Sequence, residues 1–139
     1  MRRSKDEQGA ATSFRERYGR PSSDATRELE RLVIGGDFGA NGYTTVPQAD
    51  LIAERLRLRE GDRLLDVGSG RGWPGLYLAR ATGCAVVLTD LPEEGLRTAR
   101  TRAAAEGIAD RSAVVAASAR RLPFQPETFD AIVHADVLC

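Results

Sequence analysis

Two acids at the ends of hydrophobic runs, with alternating glycines between them, are where this chain has the means to do chemistry. Leu64, Leu65 and Val67 surround Asp66 in a compact apolar run, and Gly68, Gly70 and Gly72 follow at every second position. Such a run has the form of a strand covered on both faces. A glycine turn after it lets a ligand lie against main chain, because no Cβ intervenes. Pro74 suits the first turn of a helix, here expected over residues 73–81, whose positive end faces the turn and favours a carboxylate or a phosphate. Asp90 ends a second, β-branched run at residues 85–90, 24 positions after Asp66. That offset fits one strand–helix–strand crossover. A carboxylate at such a point can accept two hydrogen bonds from ribose hydroxyls, each contributing roughly 1.5–3 kcal/mol.

The spacing narrows the ligand. A dinucleotide fingerprint, G-x-G-x-x-G, needs its third glycine at position 73, where Trp73 stands, and no Walker lysine follows the turn. Asp90 alone still fits a nicotinamide dinucleotide, and also a plain helix-capping carboxylate. The glycines alone fit a tight strand-to-helix turn with no ligand.

Asp66-x-Gly68-x-Gly70-x-Gly72 resembles the first motif of class I S-adenosylmethionine-dependent methyltransferases, in which an acid ends the first strand. Residues 116–124 and 128–133 are similar to that family's approach to its fourth strand. The resemblance covers about residues 42–139 and implies S-adenosyl-L-methionine as cofactor. It implies that Asp66, Gly68 and Gly70 hold the methionine end, that Ser69 among them is also cofactor-binding, that Asp90 holds the ribose, and that Leu91 lies beside the adenine. Ser118 stands where the family often has an acid that accepts from the adenine amino group; the amide of Ala119 is an alternative contact. Tyr43 and Thr44 lie in a glycine-dense lead-in that resembles a lid, and are candidates for the methionine end. Their alternative is a packed aromatic and turn hydroxyls. His134 and Asp136 fall at the fourth strand's end, which faces the ligand crevice in this architecture. They are candidates to line the methyl-transfer site or act as general base, although a lone histidine there also serves structure.

The elements that must carry these residues are legible from periodicity. The expected fold class is α/β: a Rossmann-like parallel sheet with flanking helices, the first four of the family's seven strands, behind an N-terminal helical arm. Residues 1–46 form the arm and lid-like loop, and 47–139 the cofactor-binding domain. The first residues, to about Ala11, are polar and expected to fray. Phe14 and Tyr18, four apart, would share a face of a short helix, or else the whole arm is mobile. Ser23 or Asp24 caps a helix to about Ile34 with Ala25, Leu29, Leu32 and Val33 inward. Residues 35–45 are expected to be a flexible loop. A helix over 47–58 would turn Leu51, Ile52 and Leu56 inward. Gly83 ends the crossover helix, 92–107 is the next helix, 112–117 is the third strand, and Ile132 and Val133 lie on the fourth.

Composition bounds the rest. The 139 residues suffice for one modest core. Twenty basic and twenty acidic residues balance, which gives no overall pull towards nucleic acid or a membrane. The two cysteines, Cys84 and Cys139, and the one histidine have no metal-ligand spacing. Cys84 reads as a small apolar group. No apolar run spans a bilayer and no signal-peptide core is present, so a cytoplasmic protein is the expectation. The expected partner is a small-molecule methyl acceptor, methylated at O, N or C. Ending at the fourth strand, the sequence reads as part of a longer methyltransferase, its free strand edge open to self-association. The competing readings are a non-catalytic cofactor-binding or oligomerising module and an NAD-dependent oxidoreductase.

Overall fold

The computed structural model describes residues 5–137. Four strands, β1 (Arg63–Val67), β2 (Ala85–Asp90), β3 (Ser112–Ala116) and β4 (Ala131–Val133), form one parallel sheet in the order β3-β2-β1-β4. In β1, Leu64 and Leu65, on opposite faces, are both buried, as a central parallel strand requires. The register sets Val67 beside Thr89 and Asp66 beside Val133, so the chain leaves β1, β2 and β4 at one end of the sheet. The glycine turn and Asp136 meet at that end.

The described residues form five α-helices, α1 (Lys5–Gly19), α2 (Asp24–Val33), α3 (Val46–Leu56), α4 (Gly75–Thr82) and α5 (Glu93–Ala105); α4 and α5 pack on the sheet, α3 on α4 and α1 on α5. α4 and α5 supply the core facing the sheet through Leu76, Leu78, Ala79, Leu96, Ala99 and Ala103. Gly83 ends α4 in the left-handed conformation, as expected. Cys84 is fully buried beside β2. Ser23 caps α2 through its side chain, and Thr45 caps α3 in a reciprocal capping box with Gln48.

Three expectations are corrected. The described part of the first eleven residues is not frayed backbone: residues 5–19 form one helix, and Tyr18 near its end is buried. α2 does not turn its leucines inward. Leu29, Leu32 and Val33 are exposed, and the buried residue is Glu30, whose Oε1 accepts from the Phe38 and Ala40 amides at 2.7 and 3.0 Å. The Phe38 and Ala40 amides thus find their acceptor in Glu30, which fixes that face of α2 towards the loop. In α3 it is Ala49 that is fully buried, while Leu51 and Leu56 are exposed and Ile52 is half-buried. A small residue lets the helix backbone approach its neighbours.

The loop after α2 is tied down at several points. Besides the Glu30 bonds, the Asp37 carbonyl accepts from Arg102 at 2.9 Å, and the Thr44 carbonyl accepts from the Trp73 indole at 2.9 Å. Phe38 stacks on Trp73 with ring centroids 4.1 Å apart.

Candidate functional site

A cavity of about 510 Å³ opens where the strand ends meet the glycine turn, within the range of small-molecule sites. Its walls include Gly68, Ser69, Gly70 and Asp90 from the sheet end, Tyr43 from the tied loop, Asp136 from beyond β4, and Tyr18 from α1. Thus Tyr43, Gly68, Ser69, Gly70, Asp90 and Asp136 come together. Asp66, Thr44, Leu91, Ser118, Ala119 and His134 lie outside the lining.

Asp66 is the main difference from the sequence reading. It is wholly buried, and its Oδ2 accepts from the Gly75 amide, the first of α4, at 2.9 Å. Burial first, and the nearby Asp90 charge after it, push its pKa up to about 8; the Gly75 bond opposes them. The side chain holds the start of α4 against β1. A Cβ on Gly75 would come within 2.5 Å of that oxygen and 2.8 Å of Leu88, so glycine is what lets the helix approach.

The glycine-turn amides are also used internally. Those of Gly68 and Ser69 donate to the Thr89 carbonyl at 2.8 and 3.0 Å, and that of Gly72 to the Ser69 carbonyl at 2.8 Å. Gly70 donates to Asp90 Oδ2 at 2.7 Å. With Gly75 bonded to Asp66, the phosphate-binding role expected of this helix start is filled by the protein's own carboxyl. Among the side-chain groups of the turn, the Ser69 hydroxyl is buried and has no hydrogen-bond partner. Such a group costs stability until something bonds it.

Asp90 is partly buried at the cavity wall. Its second oxygen accepts from the Leu91 amide at 2.7 Å. Burial raises its pKa, while the Gly70 and Leu91 amides pull it back. A carboxylate has about four acceptor sites, so two such bonds leave capacity for hydroxyls.

Asp136 takes a left-handed backbone conformation, φ 57°, which asparagine and aspartate tolerate better than most residues. Its Oδ2 accepts from the Thr44 amide at 3.2 Å and the Thr44 hydroxyl at 2.8 Å. The side chain lies so close to Gly42 that a Cβ there would sit 2.2 Å from it. Thr44 therefore links Asp136 to Trp73. His134 is exposed, and the Ser118 hydroxyl accepts from the Arg120 amide in the turn after β3.

Tyr18 and Arg71 are among the cavity residues that sequence reasoning did not assign to the site. A Cβ on Gly70 would stand 2.8 Å from the Tyr18 hydroxyl. Burial, then the Asp90 charge, pushes that phenol up to about 12 against a hydrogen bond with Asn41. The one available signal was Arg71 itself, a lone charge inside the glycine run.

The sequence profile described as a methyltransferase domain matches residues 64–139. Methyltransferase GfsG of Streptomyces halstedii is 40% identical over 79 residues, which cover 57% of this chain and 28% of that protein. The 27-O-demethylrifamycin SV methyltransferase of Amycolatopsis mediterranei is 35% identical over 88 residues, covering 63% and 32%. This chain therefore spans about a third or less of these relatives. The structure of an S-adenosylmethionine-dependent methyltransferase from Thiobacillus denitrificans, solved with S-adenosyl-L-homocysteine, shares the fold with a TM-score of 0.62 at 24% identity. It is covered to 42% by 76% of this chain. With the profile matched over more than half of its length and the parallel sheet, glycine turn and Asp90 in place, this chain belongs to the class I S-adenosylmethionine-dependent methyltransferases.

Proposed function

We propose that this chain binds S-adenosylmethionine in the 510 Å³ cavity and forms the cofactor-binding part of a methyltransferase acting on a small-molecule acceptor at O, N or C. The observation that carries the reading is the polar inventory of the glycine turn. Its named amides are spent on Thr89, Ser69, Asp66 and Asp90, while the Ser69 hydroxyl is buried and unpaired in the same wall as Asp90. A diphosphate needs free amides. A phosphate-free nucleoside needs an acceptor for its ribose and a backbone it can lie against, and the wall supplies both. This inventory disfavours a nicotinamide dinucleotide.

When bound, the cofactor supplies an electrophilic sulfonium methyl group. Asp90 accepts from the ribose hydroxyls, and Ser69 gives its hydroxyl to the amino-acid end. Gly68 and Gly70 allow close approach of the main chain. Asp136 lines the cavity and, through its two bonds from Thr44, holds the loop carrying Tyr43. Alignment of nucleophile and methyl group can supply much of the acceleration without a protein base. The small-molecule acceptor is supported by the balanced charge of the chain and by a relative whose name gives 27-O-demethylrifamycin SV as its acceptor.

Titration calorimetry with S-adenosyl-L-homocysteine tests the reading, with NADH as the competing ligand. Binding of the homocysteine nucleoside that is lost in Asp90→Ala is the expected result. Tighter binding of NADH overturns it.

A further inference from the structure

Trp73 closes the glycine run, and the roles assigned above to the turn do not use it. Its ring is buried, stacked on Phe38 and 5.3 Å from the ring of Tyr77, whose hydroxyl donates to Asp50 of α3 at 2.6 Å. An indole has one polar group, a donor, and a buried donor needs an acceptor. Here the acceptor is the Thr44 carbonyl, 2.9 Å away and 29 residues earlier in the chain. Thr44 spends its own two donors on one atom, Asp136 Oδ2, at 3.2 Å from the amide and 2.8 Å from the hydroxyl. The next residue, Thr45, caps α3, so Thr44 is tied to that helix start as well.

Glycines permit the close approach on either side. A Cβ on Gly42 would collide with the Asp136 carboxyl, and one on Gly68 would stand 2.5 Å from Val137. Three segments that reach the cavity separately, the glycine turn, residues 42–44 and the residues after β4, are thereby fixed to one another at Thr44. Trp73, Tyr43, Asp136 and Val137 all line that cavity. A carboxylate in its wall favours a cation, and the amino-acid end of the cofactor carries one. The ribose has its own acceptor in Asp90, which the Gly70 and Leu91 amides hold.

We propose that Trp73 is a positioning residue for the amino-acid end of the cofactor: through Thr44 it sets the place of the Asp136 carboxylate, which attracts the cofactor's ammonium group. The relay acts on one end of the ligand and leaves the nucleoside end to Asp90. The inference rests on the cofactor reading above. Calorimetry on the full chain tests it with two ligands: S-adenosyl-L-homocysteine, and 5′-methylthioadenosine, which has the nucleoside but no amino acid. Trp73→Phe keeps an aromatic ring against Phe38 and removes the N–H. It is expected to weaken S-adenosyl-L-homocysteine about fivefold and to leave 5′-methylthioadenosine within about twofold of wild type. In an Asp136→Ala background the same substitution is expected to cost S-adenosyl-L-homocysteine nothing further, since the two residues act in series. Equal weakening of both ligands, unchanged binding of both, or additive losses in the double variant overturns the proposal. Should circular dichroism show Trp73→Phe unfolded, Thr44→Val, which removes the hydroxyl bond to Asp136 and leaves the indole bond, is put to the same two ligands. The same contrast is then expected, and equal or absent losses overturn the relay. If the wild-type chain binds neither ligand, the cofactor reading falls and the relay falls with it.

Discussion

Replacing Asp66 with asparagine is expected to make the protein more stable at neutral and alkaline pH, and the gain is expected to grow with pH. Asp66 is wholly buried, and its pKa is raised from 3.8 to about 8, by burial above all. A carboxyl raised in the folded state favours the protonated form there. Its contribution to stability is complete below the unfolded value of 3.8, declines as pH rises, and is lost once pH passes about 8. At about 1.4 kcal/mol per pH unit over that interval, the ionisation penalty reaches the order of 5 kcal/mol at the top. That is a large share of the roughly 5–15 kcal/mol by which domains are stable. Asparagine does not ionise, and its carbonyl oxygen can still accept from the Gly75 amide. Urea unfolding of both proteins, followed by the fluorescence of the single, buried Trp73, measures the difference from about pH 5 to about pH 8. Comparing the two proteins removes the titration of groups common to both, Asp90 included. The stability of Asp66→Asn relative to wild type should climb by about 1 kcal/mol per pH unit. A difference that stays flat across this window refutes the burial argument, because it would mean that the folded and unfolded carboxyls bind protons alike.

Four further outcomes follow from the site. Ser69→Ala is expected to raise the stability of the ligand-free protein by about 1 kcal/mol, because it removes a buried hydroxyl without a partner, while weakening S-adenosyl-L-homocysteine about fivefold by calorimetry. Asp90→Ala should weaken the same ligand about a hundredfold, the loss of one to two charge-assisted bonds to a ribose. Asp136→Ala should lower unfolding free energy by about 1–2 kcal/mol in denaturant titration through the two lost Thr44 bonds, whereas Asp136→Asn, which keeps an acceptor and tolerates φ 57°, should stay near wild type. Gly75→Ala should cost about 2–3 kcal/mol or prevent folding, since its Cβ would press on Asp66 and Leu88.

The sheet and its end were legible because parallel strands buried on both faces leave continuous apolar runs with little alternative use. The strand limits at Asp90 and Val133, the Gly83 stop and the Ser23 cap all follow from local chemistry that packing does not override. The α2 face was not legible. Leu29, Leu32 and Val33 have the pattern of a buried stripe, and only the loop amides of Phe38 and Ala40, eight and ten residues on from Glu30, reveal why Glu30 turns inward instead. Tyr18 was hidden for a similar reason. Its role depends on Arg71 reaching back more than fifty residues, a pairing that no periodicity encodes.

The same distinction separates the two acids that open the sequence argument. Asp66 and Asp90 look equivalent in the sequence: each ends a hydrophobic strand next to a turn. In the structure their surroundings part them. Asp66 faces the start of α4 and is closed in by Gly75 and Leu88, so a ligand gains nothing from it directly. Asp90 faces the turn, where Gly70 and Leu91 bond it without covering it and the cavity reaches it. Two amide bonds to Asp90 work against the effect of its burial, whereas one bond to Asp66 does not offset complete enclosure. The buried acid fixes where the helix begins, and the bonded acid remains available as an acceptor. Exchanging their environments would remove the site even with every motif residue kept. For this reason the glycine pattern identifies the family, while the direction of each carboxyl sets which acid lines the cavity.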